Sequence, residues 1–368
     1  MPSYKVVYFN SRGRAEPIRL MLAHVGQKFE DVRYTHEEWP QHKAGAPLQQ
    51  LPYLEVDGKA MPQSRAVLGF LAREYGLNGA NNEETTKIDI IIAIMEDLTQ
   101  PLAKIFFQEK DPAKQKELFA VYQAETVPKF LGPLEHMLKE NKGGDGYFIG
   151  SKFVSAVVKH SSKMPCYKVV HFNGRGYAEP TRMLLALVGQ EFEDVRHSTA
   201  DWPKLKADVP LQQLPYMEVD GKIIPQSRAM HGFVAREFGL NGANNEETTQ
   251  IDVVLSTLED IRVPLGRILY YEKELDEIQK KEKLKEFYEK TAPKYMAGLE
   301  KMLTDNNGGH GFFVGSKISR ADIFFYVVME TVEEDELKKY PKLSALMKRV
   351  AEAPKIAAYL AKRPQTPW

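Results

Sequence analysis

YKVVYFNSRGRAE, Tyr4 to Glu16, returns as YKVVHFNGRGYAE, Tyr167 to Glu179, 163 residues later. A self-match of this length marks an internal duplication before any secondary structure is assigned, and the unit is too long for a solenoid repeat. Working outward, WPQHKAGAPLQQLPYLEVDGK from Trp39 is matched by WPKLKADVPLQQLPYMEVDGK from Trp202, and REYGLNGANNEETT from Arg73 by REFGLNGANNEETT from Arg236. The copies diverge after Gln100, the offset reaches 165 by Pro128 and Pro293, and the match stops near Phe153. Copy two then runs on from Ile318 to Trp368, a stretch that copy one lacks. The copies also differ where chemistry would sit. Tyr8 is answered by His171 and Arg14 by Tyr177, so a phenol and a guanidinium in one copy face neither in the other.

Composition bounds the reading. Fifty basic residues against fifty acidic give no electrostatic reason to expect nucleic acid or an anionic membrane as partner. A chain of 368 residues, 43% hydrophobic, has material for more than one core. Its single cysteine, Cys166, rules out an intramolecular disulfide and fits a reducing compartment, with the cytosol as the expectation. The N-terminal stretch lacks the apolar core of a signal peptide, and no run approaches the roughly 18 apolar residues of a spanning helix. The nine histidines show no HExxH or paired spacing, so no metal is expected.

Within each copy, short apolar runs alternate with helical periodicity. Tyr4 to Phe9 reads as a strand and Ala15 to Val25 as a helix closed by Gly26; Phe29 to Val32 starts a second strand. Tyr53 to Val56 followed by Asp57-Gly58 signals a hairpin, because that turn needs positive φ at both residues. Ser64 to Tyr75 is the next helix, and the stretches from Glu83 and Glu246 are helical with few strand signals. Each copy is therefore α/β followed by all-α.

The ordered set YFNSRGRAE, Trp39 and Lys43, QQLPYLEVDG and PQSRA, followed by helices, resembles a Sigma-class glutathione transferase, and the resemblance covers almost the whole chain. SRAD from Ser319 looks like the family's helix-capping box, and YPKLSALMKRV and KIAAYLAKRPQT look like its terminal helices. The resemblance implies two tandem units, each a thioredoxin-like domain followed by a helical domain, the first helical domain being truncated. The expected divisions are 1–79 and 80–153 for copy one, a linker over 154–163, then 164–242 and 243–368 for copy two.

It also implies a place for glutathione. Leu51-Pro52 resembles the family's cis-proline turn, which exposes backbone for the cysteinyl part to pair with, and Leu214-Pro215 repeats it. Gln63-Ser64 opens a predicted helix whose free amides favour the γ-glutamyl carboxylate, with Gln226-Ser227 as counterpart. By resemblance Trp39 and Lys43 hold the glycine end with Gln50 close by, and Trp202, Lys206 and Gln213 correspond. Family members are usually dimers in which each site receives an aspartate from the partner. Here the matching residues are Asp97 and Asp260, which without the resemblance would read as helix-surface or capping charges. The duplication then suggests either an intramolecular pseudo-dimer, with Asp260 at the Tyr8 site and Asp97 at the His171 site, or a homodimer. A linker from Phe153 to Cys166 extends roughly 40 Å at about 3.3 Å per residue, which is compatible with the first.

A thiol of pKa about 8.5 is mostly protonated at neutral pH, and lowering it by about two units takes roughly 2.7 kcal/mol of preference for the thiolate. Tyr8 matches the family's thiolate-stabilising tyrosine, and Arg14 adds positive potential; these are the expected catalytic residues. An imidazolium at His171 beside a thiolate is the weaker alternative to a binding-only or silent site. The activity implied is conjugation of glutathione to small hydrophobic electrophiles. The alternatives are a glutathione-dependent prostaglandin isomerase or peroxidase, or a non-catalytic protein akin to the lens crystallins of the family. The aromatic pairs Phe106-Phe107 and Tyr270-Tyr271 read either as substrate-site lining or as core. KELDEIQKKEKLKE from Lys273 reads as a solvated helix face, and Gly174-Arg175-Gly176 as a turn rather than a dinucleotide loop. Without helices beyond Phe153, copy one is expected to expose apolar faces around Ile91 to Met95 and Leu118 to Tyr122 unless copy two covers them.

Overall fold

The computed structural model describes residues 2–149, 165–271 and 275–366. The expected linker and the end of the first copy lie outside the described residues. Copy one begins with strand β1 (Tyr4–Phe9), helix α1 (Glu16–His24), β2 (Glu30–Tyr34), a short α2 (Trp39–His42), the hairpin β3 (Tyr53–Val56) and β4 (Lys59–Pro62), and α3 (Ser64–Glu74). Its sheet runs β2-β1-β3-β4, with β1 parallel to β2 and antiparallel to β3, and Val6 paired with Asp31 on one side and Leu54 on the other. Asp57 (φ 49°) and Gly58 (φ 80°) make the hairpin turn with positive φ at both positions. Helix α1 stops before Gly26 (φ 70°), as a C-terminal glycine dictates. Alternation on β1 sends Tyr4 and Val6 into a core with Ile18, Leu22, Leu54, Val67 and Leu71, all buried, so α1 and α3 share one face of the sheet.

Helices α4 (Asn82–Ala103), α5 (Pro112–Val121) and α6 (Val127–Glu140) follow. Copy two repeats the pattern: β5 (Tyr167–Phe172), α7 (Glu179–Val188), β6 (Phe192–His197), α8 (Trp202–Leu205), β7 (Tyr216–Val219), β8 (Lys222–Pro225) and α9 (Ser227–Glu237), with sheet order β6-β5-β7-β8. Its helices are α10 (Asn245–Gly266), α11 (Glu277–Glu286), α12 (Ala292–Asp305), α13 (Arg320–Met329), α14 (Glu334–Lys338), α15 (Pro341–Ala351) and α16 (Pro354–Lys362). Asn81 and Asn244 cap α4 and α10 by accepting the N–H of Glu84 and Glu247. Ser319 and Asp322 form the capping box of α13, and every residue of that helix is buried. Helix α11 buries none of its residues, in keeping with a solvated face.

The chain divides into two units that exchange halves of the copies. One unit comprises 1–75 and 239–361, which is the first sheet domain with the second set of helices; the other comprises 76–238 and 362–368. In the first unit α3 packs along α10, and in the second α9 packs along α4. Arg73 marks the first of these seams: its guanidinium donates to Asn245 (2.7 Å), Thr249 (2.8 Å) and Asp252 (3.1 Å). Arg236 repeats the pattern on Asn82 (2.7 Å), Thr86 (2.8 Å) and Asp89 (2.9 Å).

Copy-two helix α9 and copy-one helix α6 both pack on α4, where Ile90, Ala93 and Ile94 are buried. Met95 (43% exposed), Leu118 (39%) and Val121 (47%) remain open to solvent, so the expected exposure of copy one is partly present. Helix α10, which also packs on α12 and α13, buries eleven residues against six on α4. Phe106 and Tyr270 are exposed rather than core residues. A fragment ending at residue 153 would hold part of each unit and the complement of neither. Expressed alone it is predicted to show no cooperative transition in chemical denaturation; a sharp two-state curve from this fragment would contradict the exchanged arrangement.

Candidate functional site

The loop after β1 is fixed from below by a buried arginine. Arg19 donates from Nε to Asp31 (3.0 Å) and from Nη1 to the Ser11 carbonyl (2.9 Å). Arg182 does the same with Asp194 and the Gly174 carbonyl, both at 2.8 Å. On this platform Tyr8, at the end of β1, packs its ring on the core while its hydroxyl accepts the Arg14 N–H at 3.3 Å. Gly13 (φ 41°) lets the turn close over the phenol, since a Cβ there would lie 2.6 Å from the Tyr8 oxygen.

Copy two presents His171 Nε2 to the equivalent glycine, Gly176 (φ 46°), where a Cβ would lie 2.7 Å away. The imidazole thus points where the phenol points, yet it is 4% exposed, whereas Tyr8 is only half-buried. Burial, with Arg182 and Arg196 adding to it, draws the His171 pKa down to about 3, and its Nδ1 has no hydrogen-bond partner. The ring is neutral at pH 7. Tyr177 stands at the Arg14 position and lines the cleft of that unit.

Trp39 and Trp202 open the short helices α2 and α8 and are held edge-on by Phe9 (centroids 5.9 Å) and Phe172 (5.3 Å). Lys43 and Lys206 follow, both exposed. The Leu51-Pro52 and Leu214-Pro215 bonds are cis. Gln63 and Gln226 adopt φ 71° immediately before α3 and α9, a conformation that costs a non-glycine residue energy and recurs in both copies. Ser64 and Ser227 are the first residues of those helices.

Helical side chains complete each set. In the first unit Gln63 Nε2 donates to Asp260 Oδ2 at 3.0 Å, and in the second Gln226 Nε2 donates to Asp97 Oδ2 at 3.0 Å. Gln50 Nε2 donates to the Tyr295 hydroxyl at 2.8 Å. Phe130 stands at the Tyr295 position of the other copy, so that contact has no counterpart. The structure brings together Asp97, Tyr177, Trp202, Lys206, Gln213 and Gln226, with Leu214, Pro215 and Ser227, around a cleft of about 440 Å³. Lys129 also lines that cleft, and its equivalent Lys294 is coupled electrostatically to Asp260 and Lys43. Both lysines escaped the sequence reading, although Pro128-Lys129 and Pro293-Lys294 are kept in the divergent half of the repeat. No cluster of three or more His, Cys, Asp or Glu side chains able to hold a metal occurs among the described residues. No described helix is long and apolar enough to cross a membrane.

Asp260 and Asp97 are held above the usual carboxylate range, chiefly by burial, with the glutamine hydrogen bonds pulling the other way. A raised folded-state pKa means a stability contribution that is present below the unfolded pKa and lost as pH rises through the folded value. Asp260→Asn keeps an acceptor for Gln63 without the charge. It is predicted to raise the unfolding midpoint of the ligand-free chain at pH 7, with the difference closing below about pH 4. Thermal unfolding across that range checks this; a variant less stable at pH 7 would contradict it.

Residues 4–73 and 167–236 match the family model of the glutathione S-transferase N-terminal domain, and residues 96–156 and 259–363 that of the C-terminal domain. S-crystallin SL11 of Nototodarus sloanii is 38% identical over 207 residues, 55% of this chain and 99% of that protein. Glutathione S-transferase S1 of Drosophila melanogaster is 38% identical over 213 residues, 57% of this chain and 81% of that one. Among solved structures, prostaglandin synthase D of Nilaparvata lugens is similar at 34% identity and a TM-score of 0.50, covering 55% of this chain and all of that one. Most or all of each relative is thus spanned by little more than half of this chain. With both domains present twice, the chain belongs to the glutathione S-transferase family.

Proposed function

We propose that the chain is a glutathione transferase with one thiolate-forming site, built from Tyr8 and its surroundings, and a second site at His171 that binds without activating. The observation that carries this reading is the Tyr8 hydroxyl. It belongs to a half-buried side chain at the end of β1, beside the Arg14 backbone and within a unit where Asp260 faces Gln63. A hydroxyl donating to the glutathione sulfur favours the thiolate, and the Arg14 guanidinium adds positive potential there. In this reading Gln63, Ser64 and Asp260 serve the γ-glutamyl end, Gln63 already donating to Asp260. Leu51 offers its backbone for the cysteinyl part, and Trp39, Lys43 and Gln50 serve the glycine end. The thiolate would then attack a small hydrophobic electrophile.

In the second unit the peptide-holding set recurs as Trp202, Lys206, Gln213, Leu214, Pro215, Gln226, Ser227 and Asp97. The groups that would favour a thiolate do not: His171 is neutral and buried, and Tyr177 brings no fixed charge. In this reading the exchanged units make the chain a pseudo-dimer in which each copy completes the other's site, in place of a partner chain. A non-catalytic, crystallin-like role is favoured by the S-crystallin relatives and by the loss of the phenol at one site. Isomerisation of prostaglandins is favoured by the similarity to prostaglandin synthase D.

Conjugation of glutathione to a general chromogenic aryl halide separates these readings. Tyr8→Phe is predicted to lower turnover by about 10²-fold, on the scale of removing one transition-state donor, with glutathione affinity retained. His171→Phe is predicted to leave turnover within about twofold, because it removes no thiolate-directed donor. Binding of glutathione by the parent chain without turnover would support the crystallin-like role instead.

A further inference from the structure

The cleft of the second unit is faced by two ammonium groups, and the first unit carries the equivalent pair Lys43 and Lys294. In the second unit Lys206 comes from the turn after α8 and Lys129 from the first turn of α6, and both line the cleft together with Asp97, which accepts from Gln226. In the first unit Lys294 lies at the start of α12, one residue before the Tyr295 that receives Gln50. Lys129 and Lys294 are half-buried, each beside the aromatic ring that follows it (5.0 Å to Phe130, 4.4 Å to Tyr295). The carboxylates that attract them are Asp97 and Asp260 respectively. Burial is the main cause that lowers both ammonium pKa values; at Lys129 the facing Lys206 adds to it and Asp97 opposes it, while at Lys294 Asp260 opposes it more than Lys43 adds.

Two like charges brought together and partly stripped of water cost energy unless an anion sits between them. One aspartate does not offset two lysines, and in the proposed pose it is already engaged by Gln63 or Gln226 and by the ligand's amine. The γ-glutamyl end of glutathione, with an amine and a carboxylate, is neutral overall. The glycine end carries an uncompensated carboxylate.

We propose that Lys294 binds the glycine carboxylate of glutathione together with Lys43, and that Lys129 does so with Lys206, so that the helices of one copy grip the end of the ligand farthest from the γ-glutamyl group. This rests on the glutathione-site reading above. It makes these lysines specificity-determining residues that distinguish glutathione from γ-glutamylcysteine, which lacks the glycine. It also gives each site a second contribution from the opposite copy, beside the aspartate.

The test uses the full chain with Lys294→Met, which keeps the aliphatic stem, and Lys294→Arg, which keeps the charge; Lys129→Met and Lys129→Arg serve the other site. Affinities for glutathione and for γ-glutamylcysteine are measured by calorimetry, with KM and kcat for both thiols where conjugation is detectable. Lys294→Met is expected to weaken glutathione about tenfold, the scale of one partly exposed charge-assisted hydrogen bond. It should leave γ-glutamylcysteine within about twofold and kcat at saturation unchanged, and Lys294→Arg should recover most of the loss. Equal weakening of both thiols, or no weakening of either, would overturn the proposal while leaving the glutathione site standing. No glutathione binding by the parent chain would overturn the site reading itself and the lysine assignment with it.

Discussion

The structure depends on one recurring constraint: an arginine at the end of each sheet domain must find its acceptors on a helix encoded in the opposite copy. Arg73 donates to Asn245, Thr249 and Asp252, and Arg236 to Asn82, Thr86 and Asp89. These groups are mostly shielded from water, so a missing partner would leave a stranded charge, at a cost of about 3–5 kcal/mol. In the first unit the same Asp252 also takes Arg320 at 2.8 Å, which ties the long helix to α13. With α3 seated along α10, Gln63 meets Asp260; with α9 seated along α4, Gln226 meets Asp97. Leu48 packs closely on α12 at Gly298, where a Cβ would lie 2.5 Å from its Cδ2 and push the side chain aside. Site geometry follows from these seams.

The two units then diverge in a physically graded way. What would hold a peptide backbone and its charged ends is present in both, because those groups are backbone amides, glutamines and exposed lysines that the fold places automatically. What would shift a thiol by about two pKa units, roughly 2.7 kcal/mol, is a single hydroxyl and one nearby charge, and these differ at two positions only. His171 reaches the same glycine as Tyr8, but its ring is drawn under the surface and kept neutral. The two copies thus differ at Tyr8/His171 and Arg14/Tyr177 while keeping the same scaffold.

Much of this was legible in the sequence. The strand YKVVYF, the Asp57-Gly58 turn and Gly26 each predicted a local geometry that the structure carries, because each rests on backbone sterics or a near-neighbour hydrogen bond, while the Ser319 capping box was implied by the resemblance. The pairing of Asp260 with the Tyr8 site was accessible only through the resemblance, since no local rule links residues so far apart. Lys129 and Lys294 were missed because they lie where the copies have diverged, on helices whose contacts with the sheet domain no periodicity reveals. The depth of His171 was missed for a simpler reason. It shares the inward phase of Tyr167 and Val169, and strand position alone does not tell how deeply the ring is covered.

The central claim is that one chain holds two glutathione sites, of which one forms the thiolate. Ultraviolet difference spectroscopy of bound glutathione near pH 7, paired with the stoichiometry of binding, tests it most directly. The account predicts two glutathiones but a single thiolate for each chain; two thiolates, or none, would contradict it.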